Sequence, residues 1–314
     1  MLNRRHIRVK VMQTLYAFKR EEGDAFNTDL KFLHQSIDGM YNLYLLLISI
    51  FIELHQKAED HLERTQQKHL ATKEDKNPNR KFINNELLQL LAQNQSLKDA
   101  LSNRKINNWQ LDDEYIDMLF KAILKSDLYA EYMQTKTSNF QEDKHFLIDV
   151  YKEVIAPNDK LYSYLEDKNL TWLDDLPAVN TAILKMLRKA KVNSPNNYFL
   201  PALSRDDDDM EFADNLLKKT ILNQTKLNSV IEGKTKNWDA ERIAEVDYVL
   251  LQMAICELNY FPSIPVKVTI NEYLEIAKEY STPKSSIFIN GILDRLVKDH
   301  EDAGTLNKTG RGLM

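Results

Sequence analysis

A single cysteine, Cys256, stands in 314 residues. One thiol cannot close an internal disulfide or build a cysteine-rich zinc site, so a reducing, cytoplasmic setting is the default. Glycine and proline are almost as scarce, at 7 and 8. Few backbone breakers, in a chain full of Leu, Lys, Glu, Asp and Asn, predict long helices rather than sheet. Catalytic signatures are missing too: there is no Gly-rich phosphate loop, no His-Glu-x-x-His and no Gly-x-Ser-x-Gly. The seven histidines are scattered and never paired at metal-ligand spacing. No catalytic residue, metal or cofactor is therefore assigned. No apolar core follows the basic start Met1-Leu2-Asn3-Arg4-Arg5, so no secretory signal is expected. The most apolar run, Leu43 to Leu54, is about half the length that crosses a bilayer, which predicts a buried helix and no membrane partner. Positive charge is in deficit as well. With a net charge of −5, any nucleic-acid contact must come from a local patch.

Helical periodicity is what the chain does have. Over Asn3 to Arg20, Ile7, Val11, Leu15 and Phe18 fall on one stripe at 3.6 residues per turn and should face a core. Arg5, Arg8, Tyr16, Lys19 and Arg20 fall on the neighbouring arc. Arg4, Arg5, Arg8 and Lys10 concentrate positive charge at one end of an acidic protein, the local density that phosphate neutralisation needs. Tyr16 is placed to stack on an unpaired base. On charge alone, an ordinary solvated helix face explains the same cluster equally well. Near the other end, Ile243, Val246, Leu250, Met253 and Ala254 form a buried stripe with Asp247 beside it. A half-buried carboxylate there needs a partner, in an internal ion pair or across an interface. Thr282-Pro283 reads as an N-cap and first position opening the last helix. Gly291 inside that helix costs about 1 kcal/mol relative to Ala, which predicts a closely approaching neighbour.

The chain also repeats itself. Phe146, Ile155, Leu161 and Trp172 recur 66 positions later as Phe212, Ile221, Leu227 and Trp238. After a one-residue slip, Val179, Asn180 and Met186 recur 67 positions later as Val246, Asp247 and Met253. The spacing predicts one duplicated helical unit, against coincidence among common helical residues, and a weaker third copy that starts near Phe82 and includes Trp109. Val192 to Asp209 is the candidate hinge between the two good copies. The expected divisions are 1–66, a basic helix and those that follow; 67–204, an extra helical region with a degenerate repeat; 205–300, a C-terminal helical domain; and 301–314, a disordered tail.

Several ordered words lie between Asn237 and Val297: Asn237-Trp238-Asp239, Cys256-Glu257-Leu258, Pro262-Ser263-Ile264-Pro265, Lys267-Val268-Thr269-Ile270-Asn271-Glu272, Ala277-Lys278 and Phe288-Ile289-Asn290-Gly291-Ile292-Leu293-Asp294. Together with an Arg-rich first helix carrying Gln13-Thr14-Leu15-Tyr16, they make the chain resemble the transcription antitermination protein NusB family. The resemblance covers the first helix and about Asp209 to Val297. It implies an all-α helical bundle with additional helices in the middle of the chain and no enzymatic activity.

What the resemblance implies about partners is specific. NusB-like proteins pair with NusE, a small-subunit ribosomal protein, and recognise boxA-type single-stranded RNA as part of a transcription elongation complex. Arg4, Arg5, Arg8, Lys10, Tyr16, Lys267, Phe288 and Asn290 are then expected to touch RNA, and Asp247 and Tyr16 a partner. Lys284 departs from the acidic or polar residue usual at its position. Two other readings stay open: a NusB-like targeting module working with a ribosomal RNA methyltransferase, and a purely protein-binding helical adaptor.

Overall fold

The computed structural model describes residues 2–18, 26–67, 72, 76–203, 208–235 and 243–313. The chain is all-α, and no strand occurs among the described residues. In order the helices are α1 (Arg4–Phe18), α2 (Phe26–Gln66), α3 (Glu86–Ala92), α4 (Gln95–Asn103), α5 (Asn108–Leu111), α6 (Asp113–Leu124), α7 (Asp127–Tyr132) and α8 (Phe140–Val150). A π turn, Tyr151–Ile155, follows. Then come α9 (Asp159–Lys168), α10 (Trp172–Lys189), α11 (Asp208–Leu222), α12 (Gln224–Lys234), α13 (Glu245–Tyr260), α14 (Val266–Tyr280) and α15 (Ser285–Asp302).

The chain divides into two compact bodies, one of Asp38–Leu203 and one of Leu2–Ile37 with Ser204–Met314. One boundary falls inside α2 and the other between Leu203 and Ser204, so α1 and the start of α2 belong with the C-terminal helices.

In the body 38–203, short helices dominate because polar caps keep restarting the chain. Asn85, Asn94, Ser126, Asn139 and Asn158 each accept hydrogen bonds from backbone N–H groups of the first turn they open, satisfying donors that a helix start otherwise leaves bare. Helix α2, buried from Leu43 to Leu54 except at half-buried Ile52 and Glu53, accepts indole hydrogen bonds from two tryptophans of this body. Trp172 Nε1 donates to the Gly39 carbonyl at 2.9 Å, and Trp109 Nε1 to that of Leu46 at 3.0 Å. As a 41-residue helix, α2 is long and apolar enough to cross a bilayer, but 72% of its most apolar window lies buried inside the protein. It serves as a core helix.

In the other body, α1 packs on α11, α13 and α14, and α13 is enclosed by α11, α12, α14 and α15. From Val249 to Leu258 every residue of α13 is buried. The two copies of the repeat share an element order, α8–α9–α10 and α11–α12–α13. Phe146 and Phe212 are both buried, as are Leu161 and Leu227; Trp238 lies outside the described residues. The tail expected to be disordered folds back instead. Thr309 N–H donates to the Pro262 carbonyl at 3.0 Å, and the buried Lys308 ammonium donates to that of Phe261 at 3.1 Å.

Candidate nucleic-acid interface

Helix α1 is buried on more than the one apolar stripe, since every residue from Ile7 to Met12 is inside. That changes the status of the basic cluster. Arg8 is 2% exposed, and its Nε and Nη2 each donate to a Glu257 oxygen at 2.8 Å. Thr269 and Tyr273 add hydroxyl hydrogen bonds to the same carboxylate, at 2.7 and 3.2 Å. Burial works against the Arg8 charge, but the Glu257 carboxylate and its paired hydrogen bonds more than offset it, so the guanidinium pKa is raised. Lys10 is also buried and donates to Ser36 Oγ at 3.0 Å. Both residues leave the expected RNA-contacting set. They are structural, because a helix with packed neighbours on several sides turns even its polar arc inward.

Arg4 and Arg5 remain on the surface, each holding an acid. Arg4 Nε meets Asp209 at 2.8 Å, and its guanidinium lies over the Phe212 ring. Arg5 grips Glu272 with two bonds of 2.8 and 3.0 Å, which hold that carboxyl below the usual glutamate range. Phe261, Ile264, Pro265 and Val268 complete the open groove beside them. Lys267, next to Val268, is exposed.

The other expected residues gather at the far end. Tyr16, 48% exposed, borders a shallow groove with Ala244, Glu245, Val246 and Tyr280 to Pro283. Under that turn, Asp247 is 4% exposed. Its Oδ2 accepts from Ser285 Oγ at 2.7 Å, and Oδ1 has no hydrogen-bond partner among the described residues. No ion pair to Asp247 forms among them either. The turn also corrects the expected cap: α15 begins at Ser285 rather than Pro283, and Ser285 Oγ reaches back to the Thr282 N–H at 3.2 Å.

The solvent side of α15 carries a hollow lined by Lys284, Ile287, Phe288, Gly291, Ile292 and Arg295. Ile287 is 75% exposed and Phe288 half-buried. Gly291 overturns its expectation: a Cβ built there would meet nothing within 4 Å. No neighbouring helix among the described residues approaches it. Asn290 is engaged by its own helix, donating to Asp294 at 2.7 Å. Down the α14–α15 hairpin, Lys267 and Phe288 sit about 15 Å apart along the helix axes at 1.5 Å per residue. The expected residues thus separate: Arg4 and Arg5 at one groove with Lys267 beside it, Tyr16 and Asp247 at the 280–283 turn, and Phe288 and Asn290 further along α15.

Glu257 and Glu272, which bind the arginines, escaped the sequence reading. Glu257 was findable: a lone acid within the apolar run Val249 to Leu258 requires a buried cation. No cluster of three metal-ligating side chains occurs among the described residues. Burial pushes the Cys256 thiol up to about 12, which makes it an inert core residue.

A model of the NusB family matches residues 183–298. The chain is similar to the transcription antitermination protein NusB of Salinibacter ruber, 44% identical over 112 residues, or 36% of this chain and 70% of that protein. To the protein of that name from Chloroherpeton thalassium it is 38% identical over 129 residues, 41% of this chain and 61% of the relative. To that from Finegoldia magna it is 43% identical over 95 residues, 30% of this chain and 69% of the relative. No solved structure gives a significant match.

Proposed function

Since the chain belongs to the NusB family, we propose that it is a non-enzymatic, cytoplasmic RNA-binding antitermination factor, joining NusE on boxA-type single-stranded RNA of ribosomal RNA transcripts within the elongation complex. The observation that carries this reading is the hollow on α15. A helix surface that serves only solvent gains nothing from an exposed Ile, a half-exposed Phe and a bare Gly in one place. Phe288 offers a stacking face, Lys284 and Arg295 offer charge for phosphate, and Gly291 lets a partner approach the backbone closely. Tyr16 and the turn over Asp247 extend the same end of the body.

Arg4 and Arg5 supply a second, weaker contribution. Each must release a carboxylate partner, buried Asp209 for Arg4 and half-buried Glu272 for Arg5, to take phosphate, so their net gain is smaller than that of free cations. RNA affinity of the chain alone is accordingly modest, and NusE strengthens it. The test is titration of boxA-like and scrambled oligonucleotides with and without NusE over a salt series. Preference for the boxA-like strand, increased by NusE and lost in Phe288→Ala, supports the reading. Equal affinity for both strands with NusE present rejects it.

A further inference from the structure

The two copies of the repeat end differently. After α13 the chain makes the α14–α15 hairpin, and both helices pack on α13. After α10 no such hairpin follows; α10 packs chiefly on α8 and α9 and buries only one stripe, Trp172, Asp175, Val179, Ile183 and Leu187. The 67-residue register identifies what lies on the uncovered side. Gln252, Ile255, Cys256 and Leu258 of α13 are all buried. Their counterparts are Lys185, Arg188, Lys189 and Lys191, all exposed.

An uncovered face has to become polar, but nothing requires it to take one sign. Residues 176–205 contain no Asp or Glu, although 47 of the 314 residues are acidic and four or five would fall there at the chain's average. None of the four cations joins a salt bridge among the described residues, in contrast to Arg4, Arg5 and Arg8. The helix dipole accounts for only part of this. It favours cations in the last turn, where Arg188 and Lys189 sit, but Lys185 lies a turn earlier and Lys191 beyond the end.

We infer that this basic face of α10 is a second RNA-contacting surface, which takes the phosphate backbone without reading sequence. It builds on the RNA-binding reading given above and lies in the body that the added helices form. Unpaired cations at this density match a polyanion, and each phosphate they neutralise releases a counterion. Residues 185–191 include no aromatic, so affinity without base preference is the expected behaviour.

The experiment uses the full chain and the variant K185A/R188A/K189A/K191A. The probes are 30-nucleotide oligouridine, a boxA-like oligonucleotide, its scrambled counterpart and an oligoglutamate of similar charge. Alanine at these four exposed positions, three of them on α10, leaves the fold intact, and circular dichroism checks this. In the variant, oligouridine affinity should fall at least about tenfold at low salt, and the log–log salt slope should flatten by about 2–3, at ~0.7 per lost phosphate contact. Preference for boxA-like over scrambled RNA should persist, and K185R/K189R/K191R should keep the wild-type slope. Unchanged oligouridine affinity and slope, or no binding of oligouridine by the wild type, overturns the inference. Oligoglutamate binding as tight as oligouridine, lost in the same variant, also overturns it by marking an acidic-protein dock. Loss of boxA preference in the wild type alone rejects the sequence-specific reading and leaves this one standing.

Discussion

Replacing Arg8 by Ala should destabilise the body that contains α1 and α13 far more than an RNA-contact residue could. Glu257 is fully buried and would lose both guanidinium bonds, keeping only Thr269 and Tyr273 as donors. Removing one partner of a buried ion pair costs about 3–5 kcal/mol, because the other charge stays uncompensated. Against a total stability of roughly 5–15 kcal/mol, that is a large fraction. It corresponds to a melting shift on the order of 10 °C for a body of this size. Arg8→Lys should also lose stability, since an ammonium cannot form the bidentate pair. Urea unfolding followed by circular dichroism gives the magnitude, and amide hydrogen exchange on α13 and α14 locates it. Adding Glu257→Ala should cost less than the sum of the single changes, with a coupling of about 0.5–3 kcal/mol. A loss below about 1 kcal/mol for Arg8→Ala, with exchange on α13 unchanged, would refute the structural role and return Arg8 to the surface set.

Gly291→Ala should stabilise α15 by about 0.5–1 kcal/mol, because its Cβ enters open space and Ala restricts the unfolded chain; it should also weaken RNA or NusE binding, and a stability gain with unaltered binding would make the glycine neutral. Asp247→Asn keeps an acceptor for Ser285 but removes the charge, so the fold should persist while binding changes; a lowered melting temperature with wild-type binding per folded molecule would make Asp247 purely structural. Cys256, buried and with its pKa pushed up to about 12, should react with a thiol reagent at pH 8 only as fast as the chain opens, and rapid native labelling would contradict its placement. Glu272 has a folded pKa held below its ordinary 4.5. Its stabilisation is therefore present above that value and lost as pH falls through the lower folded one. In Glu272→Gln the acid limb of stability should be shallower, and an identical limb would remove the Arg5 pair from the account.

Helix identity was legible because periodicity and scarce breakers act locally, and the apolar stripe Ile7-Val11 faces the core as its spacing requires. The side chain of Phe18 and residues Lys19 and Arg20 lie outside what the structure describes. Three features were not legible, and each depends on what packs against a helix. Arg8 and Lys10 count as RNA contacts in the sequence because one sequence does not reveal how many neighbours surround α1. Gly291 read as a close-packing glycine because helical glycine has two explanations, and only the empty space around it separates them. The tail read as disordered on composition, yet Gly312 is so close to the Pro262 carbonyl that a Cβ there would overlap it. Such contacts follow from tertiary geometry rather than local preference.

The repeat shows which parts of the unit the fold itself demands. Asp143 and Asp209 are 66 residues apart, both in the first turn of their helices and both buried. Each clasps the first residue of another helix, α3 for Asp143 and α1 for Asp209. Asp143 accepts from the Glu86 N–H at 2.7 Å and from the Tyr132 hydroxyl, and Asp209 pairs with Arg4. Three residues on, Phe146 stacks on Tyr132 with centroids 3.9 Å apart, while Phe212 lies beneath the Arg4 guanidinium. The acid and the aromatic persist although their partners have changed from arginine to tyrosine and backbone. What both copies retain is therefore the anchoring of a neighbouring helix start, a requirement of packing. What differs between them is the surface each presents, hairpin-covered on α13 and bare and basic on α10, and function is free to diverge there.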